Sequence, residues 1–289
     1  MLVHIKEIVP HAKKHGYAIG AFNTSNLEVT LAIIKAAVTK RSPVIIQVSE
    51  SAIRYSGLKA ITHIVETIAK NESVDVPVAL HLDHGKSFHS IAECINAGFS
   101  SIMIDASDLP FDENMFLTKS VVDYSHKREA WVQGEIGRLI GVEDDIDIKA
   151  KDALCTDPDD AKTFAQETGV DTLAVAVGQS HGAVNLRQGK SEKINIKQLE
   201  KINKKVKVPL VLHGASDIAE NQIKEAVKLG VSIVNIDTEI RMAFSRSIRK
   251  VLKENKDMID PRKILTPVMD EIQKVVENKI KMFGSENKA

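Results

Sequence analysis

The stretch Val76-Pro77-Val78-Ala79-Leu80-His81-Leu82-Asp83-His84-Gly85 carries two messages at once. Its first part, Val76–Leu82, is a short apolar run of strand length, and its last part crowds imidazole and carboxylate groups onto the end of that strand. Working outward, similar runs stand at Ala18–Phe22, Val44–Val48, Ser100–Ile104, Ala130–Glu135, Thr172–Val177, Val208–Leu212 and Ser232–Asn235. Each is followed by a longer stretch with amphipathic helical spacing, the pattern of parallel βα units. With Val76–Leu82 the runs make the barrel number, and 289 residues suit a fold that usually takes roughly 250. The expected architecture is α/β: a (β/α)8 TIM barrel forming a single domain over residues 1–289.

Bulk properties narrow the function. The hydrophobic fraction of 43% and charged fraction of 27% are ordinary for a globular chain. No apolar run is long enough for a bilayer span, so no membrane partner is expected. Lys plus Arg number 39 against 39 Asp plus Glu, which leaves no global field to attract nucleic acid, and any anion must be bound locally. The first residues lack the apolar core of a secretory signal, and a cytoplasmic location is expected. Cys94 and Cys155 fit neither a disulfide framework nor a cysteine zinc site.

Punctuation supports the helices. Asp157-Pro158 reads as an N-cap with Pro in the first turn, and Gly98 and Gly230 read as stops. The segment Asp260–Phe283 reads as one additional C-terminal helix with a stripe of Ile264, Val268, Ile272, Val275, Val276 and Ile280. Such a stripe suits packing across the barrel or against another subunit, and a homodimer or homotetramer is expected. Residues 136–156 break the rhythm, with Gly137, Gly141 and the acidic run Glu143-Asp144-Asp145; a long structureless connection after a barrel strand reads as a mobile active-site loop.

The C-terminal strand ends of a barrel converge on one mouth. Here they carry Asp83 and His84, Asp105, Glu135, His181, His213, and Asn235 with Asp237. His84, His181 and His213 come from three different strand ends, and three neutral imidazoles with an open fourth position are a frequent catalytic zinc set. Phosphate needs closely approaching backbone N–H donors, for which Gly214-Ala215-Ser216 and Asp237-Thr238 are the candidates. Neither matches the nucleotide glycine patterns.

Taken together, these residues resemble the class II fructose-bisphosphate and tagatose-bisphosphate aldolases over essentially the whole length. The resemblance rests on Ala21-Phe22-Asn23, His81-Leu82-Asp83-His84-Gly85, Gly134-Glu135-Ile136-Gly137, Gly141 to Asp145, Gly178 through His181-Gly182, Leu212 to Ser216, Asn235 to Glu239, and Phe283-Gly284-Ser285. It implies Zn2+ on His84, His181 and His213, with Glu135 as an additional or alternative ligand and Asp105 as a second metal contact. It implies that Asp83 handles the C4 hydroxyl proton while Glu143 returns a proton to carbon, the enediolate of dihydroxyacetone phosphate being held by zinc. Gly182, Gly214, Ser216, Asp237 and Thr238 would hold that phosphate, Asn235 would contact the enediolate oxygens, and Asn23 and Ser49 would join the substrate-binding set. A monovalent cation, Na+ or K+, would sit on backbone carbonyls near Gly182 and Gly214.

Departures from the family pattern bear on substrate. Ala183-Val184-Asn185 replaces a lysine soon after the His-Gly pair, and Gln133 stands where many members have Glu. Gly214-Ala215-Ser216-Asp217 is nearer the tagatose type, whereas Asn235-Ile236-Asp237-Thr238 is nearer the fructose type. Fructose 1,6-bisphosphate is the leading phosphorylated ketose. Tagatose 1,6-bisphosphate, a phosphorylated deoxy-ketogluconate and a weakly active metal-binding paralogue are the alternatives. For distal phosphate, Arg54 and Arg262 are candidates. A Schiff-base aldolase would need a lysine in a strand end, and none of the runs has one.

Overall fold

A computed structural model describes residues 1–143, 146–148, 154–181 and 193–289; for 140–143, 146–148, His181 and Asp217 the description is of backbone only. Parallel strands β1 (Ile19–Asn23), β2 (Val44–Ser49), β3 (Val78–Gly85), β4 (Ser101–Ile104), β5 (Trp131–Ile136), β8 (Thr172–Val175), β10 (Leu210–Leu212) and β11 (Val231–Ile236) follow one another around a closed barrel. The eight runs read from sequence correspond to these strands, with edges shifted by up to three residues. β11 pairs back onto β1 in register Ile19 with Ile233, which closes the cylinder.

Strand alternation divides the core in two. Phe22, Val44, Ile46, Leu80, Leu82, Ile102 and Val234 face outward into the larger apolar cluster, which lies under the surrounding helices. Ile19, Ala21, Ile45, Ala79, Ala174, Val211 and Ile233 form a smaller interior cluster with Ile5, Ile8, Val9 and Ala12. Those last four come from the 3-10 turn Ile5–Glu7, helix α1 (Val9–His15) and Ile8 between them, so the N-terminal segment packs against the lower interior with apolar side chains. Further along the same inward rows the residues turn polar: Asn23, Gln47, His81, Asp83, Gln133, Glu135, His213 and Asn235 are all buried. Buried polar groups require partners, and the mouth is where they must be satisfied.

Helices α2 (Leu27–Lys40), α3 (Glu50–Ser56), α4 (Leu58–Glu72), α5 (Phe88–Asn96), α6 (Phe111–His126), α7 (Pro158–Thr168), α8 (Ile196–Lys205), α9 (Glu220–Lys228) and α10 (Thr238–Glu254) connect the strands. Asp157 caps α7 as expected, accepting from the Asp159 and Asp160 amides. The C-terminal helix α11 (Pro261–Phe283) buries Val268, Ile272, Val276 and Ile280 against α2 and α10 of its own chain. Each buried aliphatic side chain contributes roughly 1.5–3 kcal/mol. Lys279, also buried, donates to Glu239 Oε1 at 2.8 Å and ties α11 to the start of α10. No described helix is long and apolar enough to cross a membrane.

The segment 136–156 differs from the structureless loop read from sequence. Strands β6 (Ile140–Glu143) and β7 (Ile146–Ile148) pair antiparallel, and β6 also runs parallel to β9 (Ser180–His181), Gly141 opposite His181. Strands of three and four residues interrupted by Gly and Asp carry too little alternation to be read from sequence.

Candidate active site

In a regular strand Asp83 and His84 would face opposite sides of the sheet. His84 instead has a left-handed backbone, φ 48°, at a register irregularity between Leu82 and Gly85 in the β3–β4 pairing. Bulges of this kind re-aim a side chain, and a non-glycine residue in this region is uncommon enough to mark a functional position. Consecutive residues thereby reach one cluster.

Asp83 is almost completely buried and is held from three strands. Asn23 donates its amide to Oδ2 at 2.8 Å, Gln47 to the same oxygen at 3.4 Å, and Asn235 to Oδ1 at 3.4 Å. Gln47 also donates to Asn23 Oδ1 at 2.5 Å. Among the described residues Gln47 Oε1 and Asn235 Oδ1 have no hydrogen-bond partner, so the cluster keeps unused acceptors for hydroxyl groups.

His84 Nδ1 lies 2.8 Å from Asp105 Oδ2, and its ring centroid is 4.9 Å from that of His213 at a steep angle. Glu135 Oε2 is 3.9 Å from Nδ1 of both histidines. The Nε2 atom of His213 is engaged by the Gln133 side-chain amide at 2.9 Å, leaving Nδ1 toward the cluster. Burial alone would push the His84 pKa down, but Asp83, Asp105 and Glu135 outweigh it and hold the imidazole well above its ordinary value. Burial also opposes the charged form of Asp105, yet His84 and Lys86 hold its carboxyl well below the usual range. His81 faces the barrel interior beside Ser101 Oγ at 2.9 Å, and burial followed by repulsion from His84 pushes it down to about 3.

Two overlapping groups among the described residues could hold a metal ion: Asp83, His84 and His213, and His84, Asp105 and Glu135, with ligand atoms within 4.8 Å of one another. Buried imidazole with carboxylate is a donor set that suits a borderline ion such as zinc. The residues present therefore fit a metal.

For the remaining expected residues the placement is uneven. His181 lies on β9 with its side chain outside the described residues; Gly182 and Asn185 lie outside them entirely, and so does the Glu143 side chain, although its backbone belongs to β6. Gly214 has φ 58°, and a Cβ there would collide with the Ser180 carbonyl, so glycine is what lets the loop after β10 approach β9. Ser216 is buried in the short 3-10 turn that follows.

Ser49 and Asp237 line, with Asn23, Ser51, Tyr55 and Arg241, a cavity of about 430 Å3 at the mouth. Thr238 opens α10 beside it. Arg241 grips Asp237 through two contacts, Nε to Oδ1 at 2.8 Å and Nη2 to Oδ2 at 2.7 Å. Arg262 is outside this set: it is strongly exposed and pairs with Asp260. Arg54, on α3, stands 3.9 Å from Glu50. Sequence reading missed Gln47, Lys86 and Arg241. Gln47 and Arg241 were legible in principle, the first as the inward residue two after Ile45 and the second as the helical residue four after Asp237, whereas the Lys86 contact depends on loop geometry.

The family model "Fructose-bisphosphate aldolase class-II" matches residues 3–288 of this chain. The chain belongs to the class II fructose-bisphosphate aldolase family. Within that family it is 42% identical over 290 residues to a fructose-bisphosphate aldolase of Staphylococcus epidermidis, covering 100% of this chain and 99% of the relative. It is 40% identical over 311 residues to that of Thermus caldophilus, covering both in full. Among solved structures it is similar to the YdjI aldolase of Escherichia coli K12, with a TM-score of 0.84, 34% identity and full coverage of both chains. Membership makes the chain an aldehyde-lyase of a generally zinc-dependent family acting on ketose phosphates.

Proposed function

We propose that this chain reversibly cleaves fructose 1,6-bisphosphate to dihydroxyacetone phosphate and glyceraldehyde 3-phosphate with zinc held by His84, His213 and His181. Glu135 lies within reach as a further ligand. The observation that carries the reading is the Asp83–His84–His213 group at the mouth of the barrel, next to a cavity to which Asn23, Ser49 and Asp237 contribute polar side chains. When bound there, a divalent ion supplies Lewis-acid polarisation of the ketose carbonyl.

The protein groups divide the remaining work. Asn23, Gln47 and Asn235 fix the Asp83 carboxylate, so it meets the C4 hydroxyl without reorganisation. Asp83 takes that proton as C4 becomes a carbonyl and the C3–C4 bond breaks, its electron pair passing through C3 to the C2 carbonyl oxygen. Glu143, on the hairpin strand beside His181, then supplies the proton to C3. Gly214, Ser216 and Thr238 offer donors for the phosphate of the dihydroxyacetone half, joined by Gly182. Arg241 neutralises the Asp237 carboxylate, which otherwise would repel that phosphate, and leaves the Asp237 backbone to join the donors. Ser49 lines the same cavity.

Cleavage of fructose 1,6-bisphosphate and tagatose 1,6-bisphosphate, measured side by side through a triose-phosphate-coupled assay, tests the substrate. A kcat/KM at least tenfold higher on the fructose compound is expected. A preference for tagatose, or turnover of neither, would overturn the assignment.

A further inference from the structure

We infer that Lys86 is a built-in cation that closes the second of the two overlapping donor groups, so that each chain holds one divalent ion where the constellation alone could hold two. The inference rests on the metal reading above and goes beyond it.

Both donor groups use His84. The second, formed with Asp105 and Glu135, engages the Nδ1 side of the ring, which already meets Asp105 Oδ2 at 2.8 Å. Lys86 Nζ stands on the same oxygen, also at 2.8 Å. The other oxygen, Oδ1, accepts from the Ser107 amide at 3.2 Å and its hydroxyl at 2.8 Å. A carboxylate offers about four lone-pair sites, and four donors fill those of Asp105. The charge of the buried Asp105 carboxylate is met as well, so a divalent ion arriving there would displace one donor and meet the Lys86 ammonium at the rim of the site.

Lys86 is itself located by the fold. It follows Gly85, where a Cβ would lie 2.6 Å from the Met103 carbonyl, so the chain runs close against β4. Its amide donates to Glu50 Oε1 at 2.8 Å, and the same oxygen accepts from Ser90 Oγ at 2.5 Å. The ammonium is thus directed at Asp105, with the Asp105 carbonyl 3.4 Å away. Asp105 accordingly acts as a positioning residue, bonded to Nδ1 and leaving Nε2 of His84 on the Asp83 side, where the separation is 3.9 Å.

Zinc titration of the full-length apoprotein, by calorimetry and by metal analysis after equilibrium dialysis, tests this. Wild type is expected to bind one equivalent tightly. Lys86→Met keeps the chain length, removes the charge, and should bind a second equivalent at least tenfold more tightly than wild type binds any second ion. Lys86→Arg should stay at one, and Asp105→Asn in the Lys86→Met background should return the count to one. Two tight equivalents in wild type would overturn the role of Lys86 and leave the metal reading intact, as would one equivalent in a natively folded Lys86→Met. No tight equivalent in wild type would overturn the metal reading itself.

Discussion

Gln133 places its side-chain amide 2.9 Å from Nε2 of His213, on the side of the ring away from His84 and Glu135. A metal-binding imidazole normally donates its other N–H, and losing that support weakens binding roughly 10–100-fold; when Nδ1 of His213 binds an ion, the Gln133 carboxamide turns to accept the Nε2–H through Oε1. Gln133→Leu should weaken zinc binding by that factor in a competition titration with a calibrated chelator. Unchanged affinity would show that His213 needs no such support.

Asp83 should be required for turnover and dispensable for the fold. Removing a general base typically costs about 10^2–10^4 in rate. Asp83→Asn is expected to lose at least two orders of magnitude in kcat while the purified protein keeps its zinc. A variant with near-normal kcat would remove Asp83 from the mechanism.

Arg241 should act on binding more than on chemistry. Its two contacts neutralise Asp237 beside the cavity, and Arg241→Ala leaves that carboxylate facing an anionic substrate. KM is expected to rise at least tenfold, with kcat falling less. Equal KM in wild type and variant would place the phosphate elsewhere.

Two histidines on β3 give the metal-free protein opposite pH dependences. His81, pushed down to about 3, stays neutral in the fold, so unfolding takes up a proton below about pH 6.5 and stability falls as pH drops from there toward 3. His84, raised, contributes stability that is complete below about pH 6.5 and is lost as pH rises through its folded value. Denaturant unfolding of the apoprotein should therefore show a weaker acid limb in His81→Gln, by up to about 1.4 kcal/mol per pH unit. Parallel limbs in wild type and variant would contradict the neutral state of His81.

The barrel was legible because its strands are continuous apolar runs between helix-spaced stretches; Val44–Val48 and Val76–Leu82 differ from β2 and β3 only at their ends. That Asp83, His84, Glu135 and His213 come together was legible too, since all four stand at strand ends. Their orientation was not. Nothing in Asp83-His84 foretells the left-handed turn that brings both side chains to one cluster, because alternation predicts the opposite. The hairpin of β6 and β7 was missed because its pairing is made outside the barrel sheet. Lys86 was missed because its partner Asp105 sits on a neighbouring strand end, a contact that sequence spacing cannot reveal.

The central assignment, aldol cleavage dependent on an ion at His84 and His213, is tested most directly by exhaustive chelation followed by stoichiometric zinc return. Cleavage of fructose 1,6-bisphosphate should fall to background in the apoprotein and recover on adding zinc in wild type, while His213→Ala recovers neither binding nor rate. Cleavage that persists at the original rate in protein verified to be metal-free would contradict it.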